Sequence, residues 1–314
     1  MKTVAVIGRG KIGAGLIKEL PKQKCKVKFA LDKNGVYRGN KKIDNAKNYK
    51  KYIHGIDCIF LAISTFDDGK IAFDFIKFFV RQNIPIITCE KGALSNYYLQ
   101  LKPFINKIRY SATVGGGTRL LEYIQARYAK NFIEISAVVN GTLNFIFDEV
   151  AHGESIKKAV AEAVKRGYAE PGTTTPLEII NSELKDVLLK SVILFNTLRL
   201  SSKILKAKNI KLKIVSSDDL KKIIQNQMKC VVSISKHPER ITSGFHSKNG
   251  QWYLSAGFKK ISDSWLPSGV NNALFIKERG GHYLLQGPGA GVEPTVLSMI
   301  QDAKKEFAAG VKLQ

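Results

Sequence analysis

The stretch "ELKDVLLKSVILFN", residues 183–196, sets Asp186 four residues before Lys190. In a helix that spacing puts a carboxylate and an ammonium one turn apart. On a surface helix the two form a solvated ion pair and nothing more. The helical wheel points elsewhere. Leu184, Val187, Leu188, Val192 and Phe195 share one face, and Asp186 and Lys190 lie nearly opposite, among Leu189, Ile193 and Leu194. A helix apolar nearly all round is a buried one, and a buried lysine needs a partner or a cavity. Burial lowers a lysine pKa and a neighbouring carboxylate raises it. The pair therefore reads as a general acid/base able to handle a proton. A second lysine, Lys91, follows the strand-like run "PIITCE". At the C-terminal end of a parallel strand it would polarise a carbonyl or shuttle a proton; otherwise it is one surface lysine among many.

A different chemistry is written at the N-terminus. "GRGKIG" supplies Gly8, Gly10 and Gly13 in G-x-G-x-x-G spacing, after the apolar run "TVAVIG" and before the helical pattern of Ile12, Leu16, Ile17 and Leu20. That context turns a weak motif into a dinucleotide-binding signature. Gly8 allows the tight turn, Gly10 lets backbone approach a pyrophosphate, and Gly13 lets helix and strand pack closely. Arg9, Lys11 and Ile12 lie in the same loop, and Ser64 and Thr65 follow another apolar strand; all are expected to border the cofactor. Asp32, about 20 residues on, ends a strand where an acid accepts hydrogen bonds from the adenosine ribose. It favours NAD, whereas Lys33 and Arg38 beside it suit the 2′-phosphate of NADP. The alternative is a glycine turn with no ligand. Two more glycine clusters, Gly115–Gly117 and Gly287/Gly289/Gly291, sit at strand-to-helix turns. They either bring backbone close to a substrate, an ion or the nicotinamide, or simply make tight turns.

These residues need a scaffold. The first third alternates strands ("TVAVIG", "KVKFALD", "DCIFLAIS", "PIITCE") with helices, among them one from about Gly92 to Ile105. That predicts an α/β fold with a Rossmann-like, doubly wound parallel sheet. Past Leu120 a strand, "FIEISAVVN", precedes helices from Thr142 to Asn196, a lysine-rich segment and clustered strands ("CVVSIS", "QWYLSA", "NALFIKE", "HYLLQG"). This predicts an α+β second domain with a sheet of its own. The expected limits are 1–120 for the dinucleotide domain, completed by a C-terminal segment 287–314, and 121–286 for the second domain.

The 314 residues are 44% hydrophobic, and no stretch is apolar enough for a membrane span. The N-terminus enters a strand directly, without a signal-peptide pattern. Four scattered cysteines, Cys25, Cys58, Cys89 and Cys230, form no C-x-x-C and read as free thiols of a reducing, cytoplasmic compartment. The lysines around Cys25 and Cys230 make a lowered thiol pKa conceivable, but inert packing is the stronger reading. Fifty basic residues against 26 acidic give a net charge of +24, which steers anionic ligands inward. The lysines are spread along the chain without aromatic interleaving or a helix-turn-helix, so nucleic-acid binding is not expected as the main function.

Together the motifs "VIGRGKIG", "TCEKGALS", "SATVGGGTRLLEY", "VVNGTLNFIFDE", "AVAEAVKRGYAE", "ELKDVLLKSVIL", "SGVNNALFI" and "QGPGAGVEPTVLSMIQD" resemble homoserine dehydrogenase, nearly end to end. The resemblance implies reversible, NAD(P)-dependent reduction of aspartate 4-semialdehyde to homoserine, on the route to threonine and methionine, in a homodimer. It implies that Lys190 and Lys91 are the lysines at the reacting centre, with Lys190 transferring the proton and Asp186 holding it. Glu170 would receive the substrate ammonium, and Gly141 and Thr142 would border substrate and nicotinamide. Gly289, Ala290 and Gly291 would close over the nicotinamide ribose. Backbone carbonyls near Val114 and Gly116 would hold a monovalent cation. The sequence departs from the family at two places. Asn181 stands where a substrate-binding aspartate is expected, with Glu178 and Glu183 as substitutes, and Ser111 replaces a glutamate before the glycine loop. The chain ends about where the catalytic unit ends, so threonine feedback of the usual kind is not expected. The rival readings are another NAD(P)-dependent enzyme acting on an amino-acid-derived aldehyde or amine, and a non-enzymatic dinucleotide- or nucleic-acid-binding protein.

Overall fold

The computed structural model describes residues 1–126, 132–169, 175–260, 264–289 and 291–309. It divides into two units, Met1–Thr113 with Val292–Gln314, and Val114–Gly291. The expected limits lay at 120 and 287. Both later glycine loops therefore belong to the second unit.

In the first unit the strands are β1 (Lys2–Ile7), β2 (Cys25–Asp32), β3 (Gly35–Arg38), β4 (Lys41–Asp44), β5 (Cys58–Leu61), β6 (Ile86–Thr88) and β7 (Ile108–Arg109). They form one sheet in the order β4-β3-β2-β1-β5-β6-β7. β2, β1, β5, β6 and β7 run parallel, and β3 and β4 extend the edge as antiparallel strands. β5 reads CIFL and is buried at every residue, as a strand covered on both faces must be. The helices α1 (Lys11–Glu19) and α2 (Lys70–Arg81) follow β1 and β5. The C-terminal helix Val292–Ala309 completes the core by burying Val296, Met299, Ile300 and Ala303 against β1 and α1. The crossover from β2 back past β1 to β5 makes the C-terminal ends of β1 and β5 the topological switch point, where open α/β sheets bind ligands.

Local detail departs from expectation in two places. The helix expected from Gly92 to Ile105 is broken into α3 (Gly92–Asn96), α4 (Tyr98–Leu101) and a 3-10 turn. Tyr97, at φ −121° and ψ 17°, interrupts it, and Pro103 opens the 3-10 turn. The β3–β4 hairpin was not foreseen, because its four-residue strands, GVYR and KKID, carry little apolar alternation.

The second unit adds α5 (Leu120–Gln125), β8 (Phe132–Val138), α6 (Gly141–Ala151), α7 (Ile156–Lys165) and α8 (Pro176–Leu198). Then come α9 (Ser217–Gln225), β9 (Lys229–Ser235), β10 (Thr242–Asn249), β11 (Trp252–Lys259), β12 (Asn271–Glu278) and β13 (Gly281–Pro288). Its strands form an antiparallel sheet in the order β10-β11-β9-β8-β12-β13. α8 starts at a capping box in which Thr175 and Glu178 satisfy each other's backbone N–H groups, with Pro176 in the first turn. Its C-terminal half, Ser191 to Leu198, is buried throughout. Among the described residues no helix is long and apolar enough to cross a membrane.

One polar clamp fixes α6, whose N-terminus matters below. Asp148 lies 2.9 Å from the Lys229 ammonium at the start of β9, and its other oxygen accepts the Gly269 N–H at 3.0 Å. Burial pushes the Asp148 carboxyl up, but Gly269 and Lys229 outweigh it and hold the pKa below the usual carboxylate value. A group with a depressed folded pKa contributes stability above its unfolded pKa and loses it as pH falls through the folded value. Asp148→Asn leaves Lys229 uncompensated and should cost about 3 kcal/mol at neutral pH by urea unfolding. It should also flatten the wild-type loss of stability below about pH 4. Parallel acid limbs in the two proteins would show that the clamp contributes nothing.

Candidate active site

The first unit presents its loops at the sheet edge where β1, β2, β5 and β6 end. Gly8 has φ +99°, and a Cβ there would lie 2.1 Å from the Ala62 carbonyl oxygen. A Cβ on Gly13 would lie 1.8 Å from the Gly8 oxygen. Gly10 is different, because a Cβ there would meet nothing within 4 Å. Its lack of a side chain leaves open the approach to α1. No side chain caps that helix, so the N–H groups of Lys11, Ile12 and Gly13 face the approach. Such a cradle fits the pyrophosphate of a dinucleotide. Asp32, at the end of β2, accepts the Asn34 and Gly35 N–H groups on Oδ1 at 2.8 and 3.2 Å. Its Oδ2 faces the Arg9 guanidinium at 3.4 Å. Lys33 and Arg38 are exposed.

Lys91 lies at the same edge, as the residue that caps α3. The residue before it escaped notice in the sequence. Glu90 is buried, and its carboxylate accepts the Gly92 and Ala93 N–H groups at 2.7 and 2.8 Å and the Thr65 hydroxyl at 2.6 Å. It ties the loop after β5, which contains Ser64 and Thr65, to the turn that carries Lys91. The available signal was an acid at the end of an apolar strand.

In the second unit the opening pair of the sequence is real. Lys190 Nζ lies 2.7 Å from Asp186 Oδ2, with the side chains 13% and 21% exposed. The pair is neither a surface bridge nor sealed from solvent. Lys190 also donates to the Val139 carbonyl at 2.9 Å. The side chain of Asn140 then connects three elements. Its Oδ1 accepts the Leu143 N–H and so caps α6. Its Nδ2 donates to Glu183 at 2.7 Å and Asp186 at 3.1 Å. Two carboxylates one turn apart on α8 thus share one amide donor, and one of them holds the ammonium. Gly141 and Thr142 open α6 beside this cluster, and the Thr142 hydroxyl donates to the Tyr168 carbonyl at 2.8 Å.

The structure gives Asn181 another partner. Its carboxamide makes a reciprocal pair with Val215, accepting the N–H at 2.8 Å and donating to the carbonyl at 3.0 Å. Glu178 belongs to the capping box. Of the three residues weighed at that departure, Glu183 is the one bonded into the Asp186 cluster. Asn140, inside a motif quoted for its glycine and threonine, was missed. Glu170 and Ala290 lie outside the described residues.

The turn containing Val114 and Gly116 has left-handed glycines, with φ +85° at Gly115 and +48° at Gly116. The Thr118 hydroxyl joins it to the Pro288 carbonyl at 3.0 Å. A Cβ on Gly289 would lie 2.3 Å from the Asn272 carboxamide, which would have to shift to admit it. The Ser111 N–H is held by Asp302 at 3.0 Å. Among the described residues no cluster of three or more histidines, cysteines or carboxylates is placed to hold a metal ion. Burial pushes the Cys89 thiol up to about 11 and Cys230 up to about 12, and raises Cys25 as well, which disfavours the reactive thiolate.

Comparisons with known proteins bear on the family and the fold. The homoserine dehydrogenase family model matches residues 121–303, more than half of the chain. The homoserine dehydrogenase of Sulfurisphaera tokodaii is 24% identical over 232 residues, which are 73% of this chain and 69% of that protein. The NAD(+)-dependent homoserine dehydrogenase of Pseudomonas canavaninivorans is 26% identical over 247 residues, 75% of this chain and 66% of that protein. The second match thus spans just under two thirds of the relative's length. A hyperthermophilic archaeal homoserine dehydrogenase in complex with NADPH shares the fold, with a TM-score of 0.73 at 19% identity over 100% of both chains. The extent of the family match, on a chain that pairs a Rossmann-like unit with an Asp–Lys helix, places it in the homoserine dehydrogenase family.

Proposed function

We propose that the chain catalyses the reversible, NAD(P)-dependent reduction of L-aspartate 4-semialdehyde to L-homoserine, a step toward threonine and methionine. The observation that carries this is the Lys190–Asp186–Asn140–Glu183 cluster. The dinucleotide, held by the Gly8–Gly13 loop, supplies or accepts the hydride. Asp32 would take the ribose diol of NAD. Ser64, Thr65 and Lys91 would complete the cofactor side of the first unit, and the family resemblance would give Lys91 the role of a carbonyl-polarising lysine.

Proton transfer falls to Lys190. An ammonium has three N–H donors; Asp186 and Val139 take two. The third is left to meet the substrate oxygen. In the reducing direction it gives a proton to the aldehyde oxygen as hydride reaches the carbon; in the oxidising direction it takes the hydroxyl proton back. Asp186 keeps the nitrogen in place and compensates its charge. Glu183 supports the recognition of the substrate ammonium, the role that the sequence suggested for position 181, together with Glu170. Gly141 and Thr142 would border the substrate, and the family resemblance would assign ribose contacts to Gly289, Ala290 and Gly291. The loop at Val114 and Gly116 offers neutral backbone oxygens, which suit a monovalent cation better than a divalent one. A homodimer built on the second unit is consistent with the edge strand β13, where Tyr283 and Leu284 are 40% and 48% exposed.

The purified protein should reduce NAD or NADP when L-homoserine is added at alkaline pH, followed by absorbance of the reduced nicotinamide. Dinucleotide binding with no homoserine-dependent turnover would favour the rival dehydrogenase of a different amino-acid-derived substrate. Lys190→Ala should lower kcat by about two orders of magnitude or more while leaving dinucleotide affinity unchanged. Glu183→Gln should raise KM for homoserine about tenfold. Asn181→Ala should instead lower stability by about 1–2 kcal/mol with KM nearly unchanged. The opposite assignment of these two effects would return the substrate role to Asn181.

A further inference from the structure

The adenosine end of the cofactor loop holds an arrangement that the glycine motif does not require. Arg9 lies with its guanidinium carbon 3.7 Å from the centroid of the Tyr37 ring. A guanidinium stacked on an aromatic face is fixed in plane, so little freedom remains to be lost when it meets an anion. The same group faces Asp32 Oδ2, while Asp32 Oδ1 is committed to the N–H groups of Asn34 and Gly35 at the turn into β3. The carboxylate that ordinarily accepts both ribose hydroxyls of NAD thus has one oxygen in a backbone turn and the other against a cation. About a quarter of the Arg9 side chain remains exposed, so the guanidinium is reachable from solvent. Tyr37 itself is positioned by β3, whose pairing with β2 sets it opposite Ala30.

We infer that Arg9, stacked on Tyr37 and paired with Asp32, selects NADP(H) over NAD(H): it screens Asp32 from a ribose diol and offers its guanidinium to a ribose 2′-phosphate. This reverses the leaning toward NAD that Asp32 alone suggested. The Arg9–Asp32 contact at 3.4 Å is long for an ion pair and partly solvated, so it is readily exchanged. A phosphate dianion offers Arg9 a stronger, bidentate partner than one carboxylate oxygen. Asp32 then acts as the group that holds Arg9 in place before the nucleotide arrives. Exposed Lys33 and Arg38 add positive potential but are not fixed by a stack. The inference rests on the reading of Gly8–Gly13 as a dinucleotide site and is independent of the substrate.

The test is direct titration of the full chain with NAD+ and, separately, NADP+ by calorimetry, at two salt concentrations because the chain is strongly basic. The wild type should bind NADP+ about tenfold tighter than NAD+ or better. Arg9→Ala should weaken NADP+ by about the same factor and leave NAD+ unchanged or tighter. Tyr37→Leu, which removes the stack but keeps the charge, should lose a smaller part of the preference. Equal weakening of both dinucleotides by Arg9→Ala, or a wild type that prefers NAD+, would overturn the inference. No binding of either dinucleotide by a folded wild type would overturn the dinucleotide reading with it. Selective NADP+ binding without homoserine turnover would leave Arg9 in its role and remove only the proposed substrate. Circular dichroism of each variant distinguishes lost binding from lost fold.

Discussion

A lysine whose side chain is only 13% exposed on a largely buried helix has to be compensated, and the contacts around α8 meet that requirement. Lys190 has Asp186 one turn back and the Val139 carbonyl at the end of β8. A lone partner would leave Asp186 facing Glu183 as a like charge one turn away. Asn140 resolves that repulsion by donating to both carboxylates while its own oxygen caps α6. One side chain therefore couples the start of a helix to the electrostatics of another. The clamp of Asp148 on Lys229 and Gly269, further along α6, keeps that cap in register. Each member of the cluster is held by a backbone contact or by another member, an arrangement suited to the proton transfer proposed for it.

The first unit solves a different problem, that of bringing an anion close to backbone. Gly8 and Gly13 are required by contacts that a single methyl group would violate, whereas Gly10 keeps the path to the helix N-terminus clear. Glu90 extends the same logic to the other strand ends. Its buried carboxylate draws the Thr65 loop and the α3 turn together, one residue before Lys91. The open N-terminus of α1 and the turn that carries Lys91 thus lie on neighbouring loops of one parallel sheet.

Much of this was legible in the sequence. The parallel sheet followed from apolar runs closed by Gly8, Asp32 and Glu90, and the buried Asp186–Lys190 helix followed from its wheel. The pattern of α8 was informative because apolar residues such as Leu189, Ile193 and Leu194 flank Lys190 on the face that a surface helix would leave polar. Other features left no such trace. Asn181 looked like a polar residue in a substrate position, yet its partner is the backbone of Val215, 34 residues away, and no local pattern announces such a contact. Asn140 and Glu90 act through contacts to distant side chains or to the N–H groups of a short helix. The Arg9–Tyr37 stack needs β3, a four-residue strand too short and too polar to be read from periodicity. The sequence reveals what burial and spacing dictate, while the partners of polar side chains emerge only from the tertiary fold.

The central claim is that Lys190 and Asp186 act as one proton-handling unit. It is tested most directly by a double-mutant cycle on kcat/KM for homoserine oxidation, using Asp186→Asn, Lys190→Met and the two combined. Residues that act as a unit lose their effect together. The account predicts that the double variant is no slower than the slower single variant by more than about threefold. Losses that multiply, with the double variant slower by the product of the two single effects, would contradict it and make Asp186 and Lys190 independent contributors.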